Sequence, residues 1–579
     1  MSDATSQLFD GLKILELLNA DASPACRRAT ATAGRLAAQM GASVWSTGPG
    51  DLGPDRAFTL GKESATTAMV EEPHIWAGGD LGRVLLVAGT PDGRVELADD
   101  PGVNVVHVSC EPWHNEATLF AASGLADLLG EPDGAPLVPT GEWAAGTIAY
   151  AVLGAIASAQ ALALAGQHDV AAVDCVDALR WVNWKSPALA WAGSPVTREG
   201  AAGAWPVLPC ADGFVALVFT ARDWKAVVEM VGSERLRDER FTRHRSRLEH
   251  RDEYTEILRR WAEPRTKSEI DELLYKHKIP GAAVLDPVEL LADATMMHRG
   301  VFRNESLDGA DVPTAVAPIR VQARPGGEPA ASAQAAPADL PLANVRVLDL
   351  GVLTAGAGSS SLLADLGAEV LKVESATKPD MFRFWAGDDD SPLFDFSNRS
   401  KYGIDLNLKE PAGRAASTLE ALSGLAALTT GPSGRPTISG ANLNFPDQTV
   451  CLFAGAVVAA AISKSRATGT AFHLDISQRD VAVYACAPVI EQAARGLAPR
   501  QWETTPSGDG DWVAVGVDGI ETPVLGGQGV LDACMAEGSA IVEAPNGNQV
   551  KGFPFTLDKR TLRITRRAPA IGEHNDLLL

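Results

Sequence analysis

Two apolar runs separated by a small-residue helix form the most regular stretch of the chain. Val345–Leu350 (VRVLDL) is the first run, and a turn of small residues follows from Ala355 to Ser361. Leu362, Leu363 and Leu366 then recur at helical spacing. Glu369–Val373 forms the second run and closes on Lys372-Val373-Glu374. That order predicts strand, glycine-rich turn, helix and strand: a βαβ unit whose turn is shaped to receive phosphate.

The same pattern comes earlier in the chain. Leu12–Leu17 (LKILEL) matches Val345–Leu350, and Met40–Val44 (MGASV) matches Leu366–Val370 (LGAEV). Val170–Leu179 (VAAVDCVDAL) has a counterpart in Ile476–Val483 (ISQRDVAV), each preceded by a small-residue helix, Ala145–Leu164 and Phe453–Ser463. In both halves one Asp precedes another by five positions: Asp169 and Asp174, then Asp475 and Asp480. The chain reads as a diverged tandem duplication. Arg324–Leu340, rich in Pro, Ala and Gly, reads as the solvated linker. The first half holds a segment, Trp205–Phe302, that the second lacks. In the second half, Asp511–Val517 and Thr522–Leu525 look like the end strands of the same module with its helices missing. The second half is also expected to lack, between Pro432 and Gly440, the counterpart of Val103–Glu131.

Composition narrows the partners. A length of 579 residues predicts about two to four domains. The formal net charge of −23 and pI near 4.9 argue against nucleic acid and anionic membrane as partners. Seven dispersed cysteines without CxxC or Cys/His ligand spacing read as reduced thiols in a cytoplasmic protein with no metal. The first residues carry no secretory pattern, and the apolar runs are Ala/Gly-rich, as in buried helices.

In order along the chain, VLDLGVLTAGAGSSSLLADLGAEVLKVE, NRSKYGIDLNLKEPAGR, GTAFHLDISQRDVAV and RRAPAIGEHNDLLL resemble successive blocks of the class III CoA-transferases, the CaiB/BaiF family. Formyl-CoA transferase, carnitine CoA-transferase and alpha-methylacyl-CoA racemase are members. SGLADLLGEPDGAP, ADGFVALV and IPGAAVLDPVELL of the first half match further blocks. The resemblance implies an α/β fold with two Rossmann-like large domains in tandem, interlocked as an intrachain pseudo-dimer, and a small α/β domain. The expected divisions are a first large domain over 1–200, its small domain over 201–323, a linker over 324–340, a second large domain over 341–500, and a reduced small domain over 501–579. A homo-oligomer is compatible with this scheme.

The resemblance also implies a reaction: CoA moves from an acyl-CoA to a small carboxylic acid through an aspartyl intermediate. Asp480 is the implied nucleophile. Asp174 is its equivalent in the first half and reads as vestigial, with Asp177 the alternative register. Implied CoA contacts are Val352, Leu353, Thr354 and Ala355 in the turn, Lys372 after the second strand, and Asn398 and Lys401 in NRSKYG, with Arg383 and Arg399 as further candidates. Gly356-x-Gly358-x-x-Ser361 with Glu374 is also near a dinucleotide fingerprint, which keeps NAD as the alternative cofactor. His114-Asn115-Glu116 lies near the place where racemases of the family hold an acid/base pair, and reads as a surface loop. The alternatives to a transferase are a non-catalytic CoA-binding paralogue or scaffold, and a racemase- or dehydratase-type acyl-CoA enzyme. The first half has Ser46 and Gly48 where the second has Lys372 and Glu374, and the second lacks the small-domain helices, so a single site is expected where the second large domain faces the first small domain.

Overall fold

The computed structural model describes residues 8–578 apart from 48–58, 67–68, 70–80, 90–101, 114, 132–133, 195, 197, 199–204, 220–222, 325–339, 378, 385–390, 407–421, 424, 432–433, 440–442, 508–510, 517–518 and 538. Six parallel strands build the first sheet: β1 (Lys13–Leu18), β2 (Ser43–Ser46), β3 (Glu63–Ser64), β4 (Arg83–Ala88), β5 (Val103–Ser109) and β6 (Val170–Asp174). Their spatial order is 3-2-1-4-5-6, the doubly wound order of dinucleotide-binding sheets. β1 (KILELL) buries five of its six residues, because a central parallel strand is covered on both faces. Helix α1 (Pro24–Gln39) crosses from β1 to β2. Its start is set by Ser23, which caps Cys26, and by Pro24. Helix α2 (Trp143–Leu164) is buried nearly throughout, and α3 (Cys175–Val182) follows β6 directly.

The segment after α3 has its own core. β7 (Val207–Cys210), β8 (Gly213–Leu217) and β9 (Gly281–Ala283) form an antiparallel sheet, over which helices bury Trp224, Tyr254, Leu258 and Ile270. Helix α4 (Ala294–Arg299), the hairpin β10 (Phe302–Leu307) and β11 (Ala310–Ala315), and strand β12 (Ile319–Arg324) complete the first half.

The second half opens with the expected βαβ unit. β13 (Arg346–Asp349), β14 (Glu369–Glu374) and β15 (Tyr402–Asp405) are parallel, and α5 (Ala355–Asp365) crosses between the first two. Helix α6 (Phe445–Thr468) packs along α2, then β16 (Ala471–Ile476) leads into α7 (Gln478–Ala485). Smaller sheets follow: β17 (Thr504–Pro506), β18 (Trp512–Val515) and β19 (Glu521–Pro523), then β20 (Ile541–Glu543) and β21 (Gln549–Lys551). β22 (Thr556–Leu557) is the last strand. It adds antiparallel to β6 of the first sheet, while β12 of the first half adds antiparallel to β16 of the second. Each half therefore lends a strand to the other.

Two sequence expectations change. In the first sheet β4 and β5 lie between β1 and β6. Among the described residues no strand fills that place between β13 and β16. A cleft of about 650 Å³ is left there, lined by Val345, Val458, Ile462, Phe472 and Leu474. Among the described residues, the difference expected after Pro432 lies before Ser423. Leu425–Leu428 still forms a helical turn after Ser423, as Ala126–Leu128 does after Ser123. The cysteines are not all free thiols, since Cys110 and Cys175 are joined by a disulfide across the ends of β5 and β6. By length and composition α2 and α6 are long and apolar enough to cross a membrane. Here 83% and 78% of their most apolar windows are buried within the protein.

Candidate active site

The turn after β13 is built by two glycines. A Cβ on Gly351 would lie 2.6 Å from the carbonyl carbon of Gly356, and one on Gly356 would lie 2.7 Å from Gly351 Cα. Only glycine at both positions lets the turn fold back onto α5. Val352 stands exposed on this turn. Leu353 takes a positive φ of 57°, and the buried Thr354 precedes the first turn of α5, which Ala355 begins. The backbone N–H of Leu353 donates to Asp380 Oδ2 at 2.8 Å.

The charged residues predicted around this turn lie beneath it. Lys401 is fully buried, and its ammonium donates to Asp349 Oδ2 (2.9 Å), Ala357 O (2.7 Å) and Asn398 Oδ1 (3.0 Å). All three of its protons are used within the chain, so Lys401 and Asn398 brace the turn from below. Burial pushes the Lys401 amine down to about 8, against the attraction of Asp349. Lys372 is equally buried and donates to Gly351 O and to Asp380 Oδ2 (3.1 Å). Glu374 pairs with Arg383, which also donates to Pro569 O. Arg399 pairs with Asp365 at 2.6 Å and donates to Gly552 O. The lysines and arginines read as phosphate contacts are thus internal ties. The tie of Lys401 has a twin in the first half, where Lys62 donates to Glu16 (2.7 and 2.8 Å) and to Ala31 O (2.8 Å). Glu16 stands in β1 where Asp349 stands in β13.

Asp480 occupies the third position of α7, behind Ser477, which caps the helix. Its carboxylate is 5% exposed and takes two partners, the Ser477 hydroxyl (2.9 Å) and Arg299 Nε (2.6 Å). Arg299 ends α4 of the first half and also reaches Asp475 at 3.5 Å. Burial opposes its charge, yet the bonds to Asp480 and Asp475 outweigh that and hold the guanidinium above its ordinary pKa. The Arg299 carbonyl in turn accepts from Arg320. Next to Asp480, Arg479 pairs with Asp293 at 3.2 Å, a second contact between α7 and the segment before α4.

Helix α6 connects this carboxylate to the turn. Cys451 Sγ donates to Thr354 O at 3.3 Å, and one turn earlier Asp447 accepts from Gln478, the first residue of α7. Burial raises Asp447 to about 6, and burial likewise brings the nearby Lys185 amine of the first half down to about 8. Arg299, Asp380, Lys185 and Asp447 escaped the sequence reading. None belongs to a local motif, and Arg299 reaches Asp480 only through the fold.

The corresponding place in the first half is arranged differently. Asp174 is the N-cap of α3 and accepts from Asp177 N at 2.8 Å, so it stands where Ser477 stands. Asp177 holds the third helical position, that of Asp480, which favours the alternative register. It pairs with Arg180 and accepts from Ser539 N and Oγ, both at 3.1 Å. Burial raises Asp174 to about 6. Of the His114-Asn115-Glu116 motif, His114 lies outside the described residues. Asn115 caps the helix Glu116–Ala122, and Glu116 is buried, raised to about 8 by burial against the Ala144 N–H bond that lowers it.

Comparison with known proteins bears on the family. The family described as CoA-transferase family III matches residues 114–338 and 342–419. Over 248 residues the chain is 31% identical to a probable CoA-transferase of Mycobacterium tuberculosis, covering 39% of this chain and 31% of that one. Over 76 residues it is 42% identical to the succinyl-CoA:glutarate CoA-transferase of Mus musculus, covering 13% of this chain and 17% of that one. The chain thus spans less than a third of the length of these curated relatives. A crystal structure of a CAIB/BAIF family protein from Brucella suis is 18% identical, with a TM-score of 0.43 over 54% of this chain and 95% of that one. With the family matched over more than half of its length, the chain belongs to CoA-transferase family III.

Proposed function

We propose that the chain is a tandem duplication whose halves form an intrachain pseudo-dimer, and that it transfers CoA from an acyl-CoA to a small carboxylic acid, with Asp480 as nucleophile. The observation that carries this reading is the Asp480 carboxylate held between Ser477 and Arg299 at the start of α7. A carboxylate oxygen attacks the thioester carbon, forming a C–O bond and releasing CoA thiolate as the C–S bond breaks. The thiolate then attacks the aspartyl carbonyl of the mixed anhydride, which frees the donor carboxylate and leaves an aspartyl-CoA thioester. The acceptor carboxylate enters by the reverse sequence and leaves as the new acyl-CoA.

Arg299 suits both stages. While Asp480 is ionised, the guanidinium aims one oxygen; once Asp480 is acylated and neutral, its cation is available to the carboxylate that departs or arrives. The N-terminal amides of α7 add positive potential where the oxyanion develops. The CoA end is assigned to the turn Val352–Ala355 and the start of α5, where backbone N–H groups meet anions. Lys372, Asn398 and Lys401 support that turn from below. Exposed Val352, Met381 and Phe384 offer apolar surface beside it. Incubation with acyl-CoA, a hydroxylamine quench and mass spectrometry test the reading. An aspartyl hydroxamate on Asp480, lost in Asp480→Ala and kept in Asp177→Ala, is expected. An adduct on Asp177, or none with any of a panel of acyl-CoA donors, sinks it.

A second reading, a non-catalytic CoA-binding paralogue, draws on the lack, among the described residues, of strands between β13 and β16 and on the internal use of Lys372 and Lys401. It predicts calorimetric binding of CoA thioesters without any adduct.

A further inference from the structure

We propose that Cys26, Cys110 and Cys175 form a three-thiolate site for copper(I), open when the thiols are reduced and closed when Cys110 and Cys175 are joined. Their three sulfur atoms lie within 4.8 Å of one another, and all three residues are buried, at 1%, 2% and 0% exposure. A metal at about 2.3 Å from each of three sulfurs in a trigonal set needs sulfur separations of about 4 Å, which small side-chain rotations reach from here. The ligands come from three separate chain segments: the first turn of α1, the residue after β5 and the first residue of α3. They meet at the C-terminal ends of the strands of the first sheet, the edge where doubly wound sheets bind ligands.

The donor set chooses the ion. Three soft sulfurs converge, and among the described residues no His, Asp or Glu joins them to give a fourth ligand. Zinc structural sites are four-coordinate, whereas thiolate-rich sets suit copper(I). Cys26 Sγ donates to Val108 O at 3.1 Å, and it is the sulfur that remains once Cys110 and Cys175 pair. Closing the bond removes two electrons and two protons from those thiols, with a small-molecule disulfide as oxidant and its two thiols as product. One thiol cannot hold the ion, so the bond and the metal exclude each other. This site is independent of the Asp480 assignment.

The test uses the full-length chain, reduced anaerobically and titrated with copper(I) against a chromophoric copper(I) chelator. One ion per chain is expected, with three sulfur neighbours in its X-ray absorption spectrum. Cys26→Ala should weaken binding at least tenfold with unchanged circular dichroism. Oxidation by glutathione disulfide, with the Cys110–Cys175 cross-linked peptide found by mass spectrometry, should abolish binding. Absence of copper(I) binding, a spectrum with fewer than three sulfurs, preference for zinc(II), or wild-type affinity in Cys26→Ala would each overturn the proposal. The absorption spectrum is read on the unmodified chain, so a variant that fails to fold leaves the proposal open to refutation.

Discussion

Asp480 and Lys401 look alike in the sequence, as charged residues inside motifs, and the fold gives them different surroundings. Asp480 keeps two hydrogen-bond partners at a helix start that faces another half of the chain. Lys401 has none of its protons left to offer. Lys62 repeats the same tie in the first half, so the device braces a βαβ unit in both places. Lys401→Met should therefore cost about 3–5 kcal/mol of stability in urea unfolding, since it strands the Asp349 carboxylate. A variant of unchanged stability with weaker CoA binding would restore the phosphate role. Arg299→Ala should lower turnover by tenfold or more and raise the acceptor KM, with partial recovery in Arg299→Lys; unchanged kinetics would remove Arg299 from the site. Glu116 sets a pH dependence. Burial raises its folded pKa to about 8, above the ordinary 4.5, so the native state keeps a proton that the unfolded chain has lost. Stability is then full below pH 4.5 and falls by up to about 1.4 kcal/mol per pH unit up to pH 8, then levels. Glu116→Gln should remove that slope in urea titrations across the window, and a slope that persists would show the carboxyl is ionised in the native state.

At the scale of elements, periodicity carried the reading a long way. The run LKILEL gave β1, a parallel strand buried on both faces, VRVLDL gave β13 although Leu348 of it stays exposed, and the small-residue stretches gave α2 and α6. The burial of Lys372 was not legible, because a lysine at the end of an apolar run reads as the point where the strand meets water. β14 instead buries it among Leu371, Val373 and Glu374. The pairing of Arg299 with Asp480 was not legible either, since no local period encodes a contact 181 residues apart. The difference between β15 and Leu425 was half legible: the sequence showed a shortening but placed it after Pro432, whereas among the described residues no strand stands between β15 and Leu425. Close helix crossings depend on single glycines. A Cβ on Gly146 of α2 would meet Ala485 O, at the end of α7, at 2.5 Å. That contact is with backbone and cannot rotate away. Gly146→Ala should push α7 off α2 at a cost of about 1–3 kcal/mol and displace Asp480, seen as a lower melting temperature together with reduced turnover. Wild-type behaviour in both would show that the crossing has slack.

The whole molecule is held together by exchange between its halves, which bears on how it folds. β22 closes the edge of β6, and β12 closes the edge of β16. Tyr150 of α2 donates to Val481 O at 2.7 Å, Trp181 donates to Gly552 O at 3.0 Å, and Arg35 pairs with Glu491 at 3.0 Å with both side chains buried. One apolar core runs through both halves, from Ile14 and Val84 to Phe453 and Ile490. The second half is the more dependent partner. Its sheet has three strands among the described residues, and Leu348 of β13 and Leu350 just after it are each 58% exposed. Residues 340–579 alone would lose the strand that covers β16 and the helix that covers α6, uncovering apolar surface that three short strands cannot bury. Expressed by itself, that fragment should be aggregated or lack a cooperative unfolding transition. Co-expression with residues 1–324 should recover a one-to-one complex that unfolds in one step, with any CoA-transfer activity appearing only in the complex. A fragment 340–579 that unfolds cooperatively on its own would show that the exchange of strands decorates two independent domains and does not hold them together.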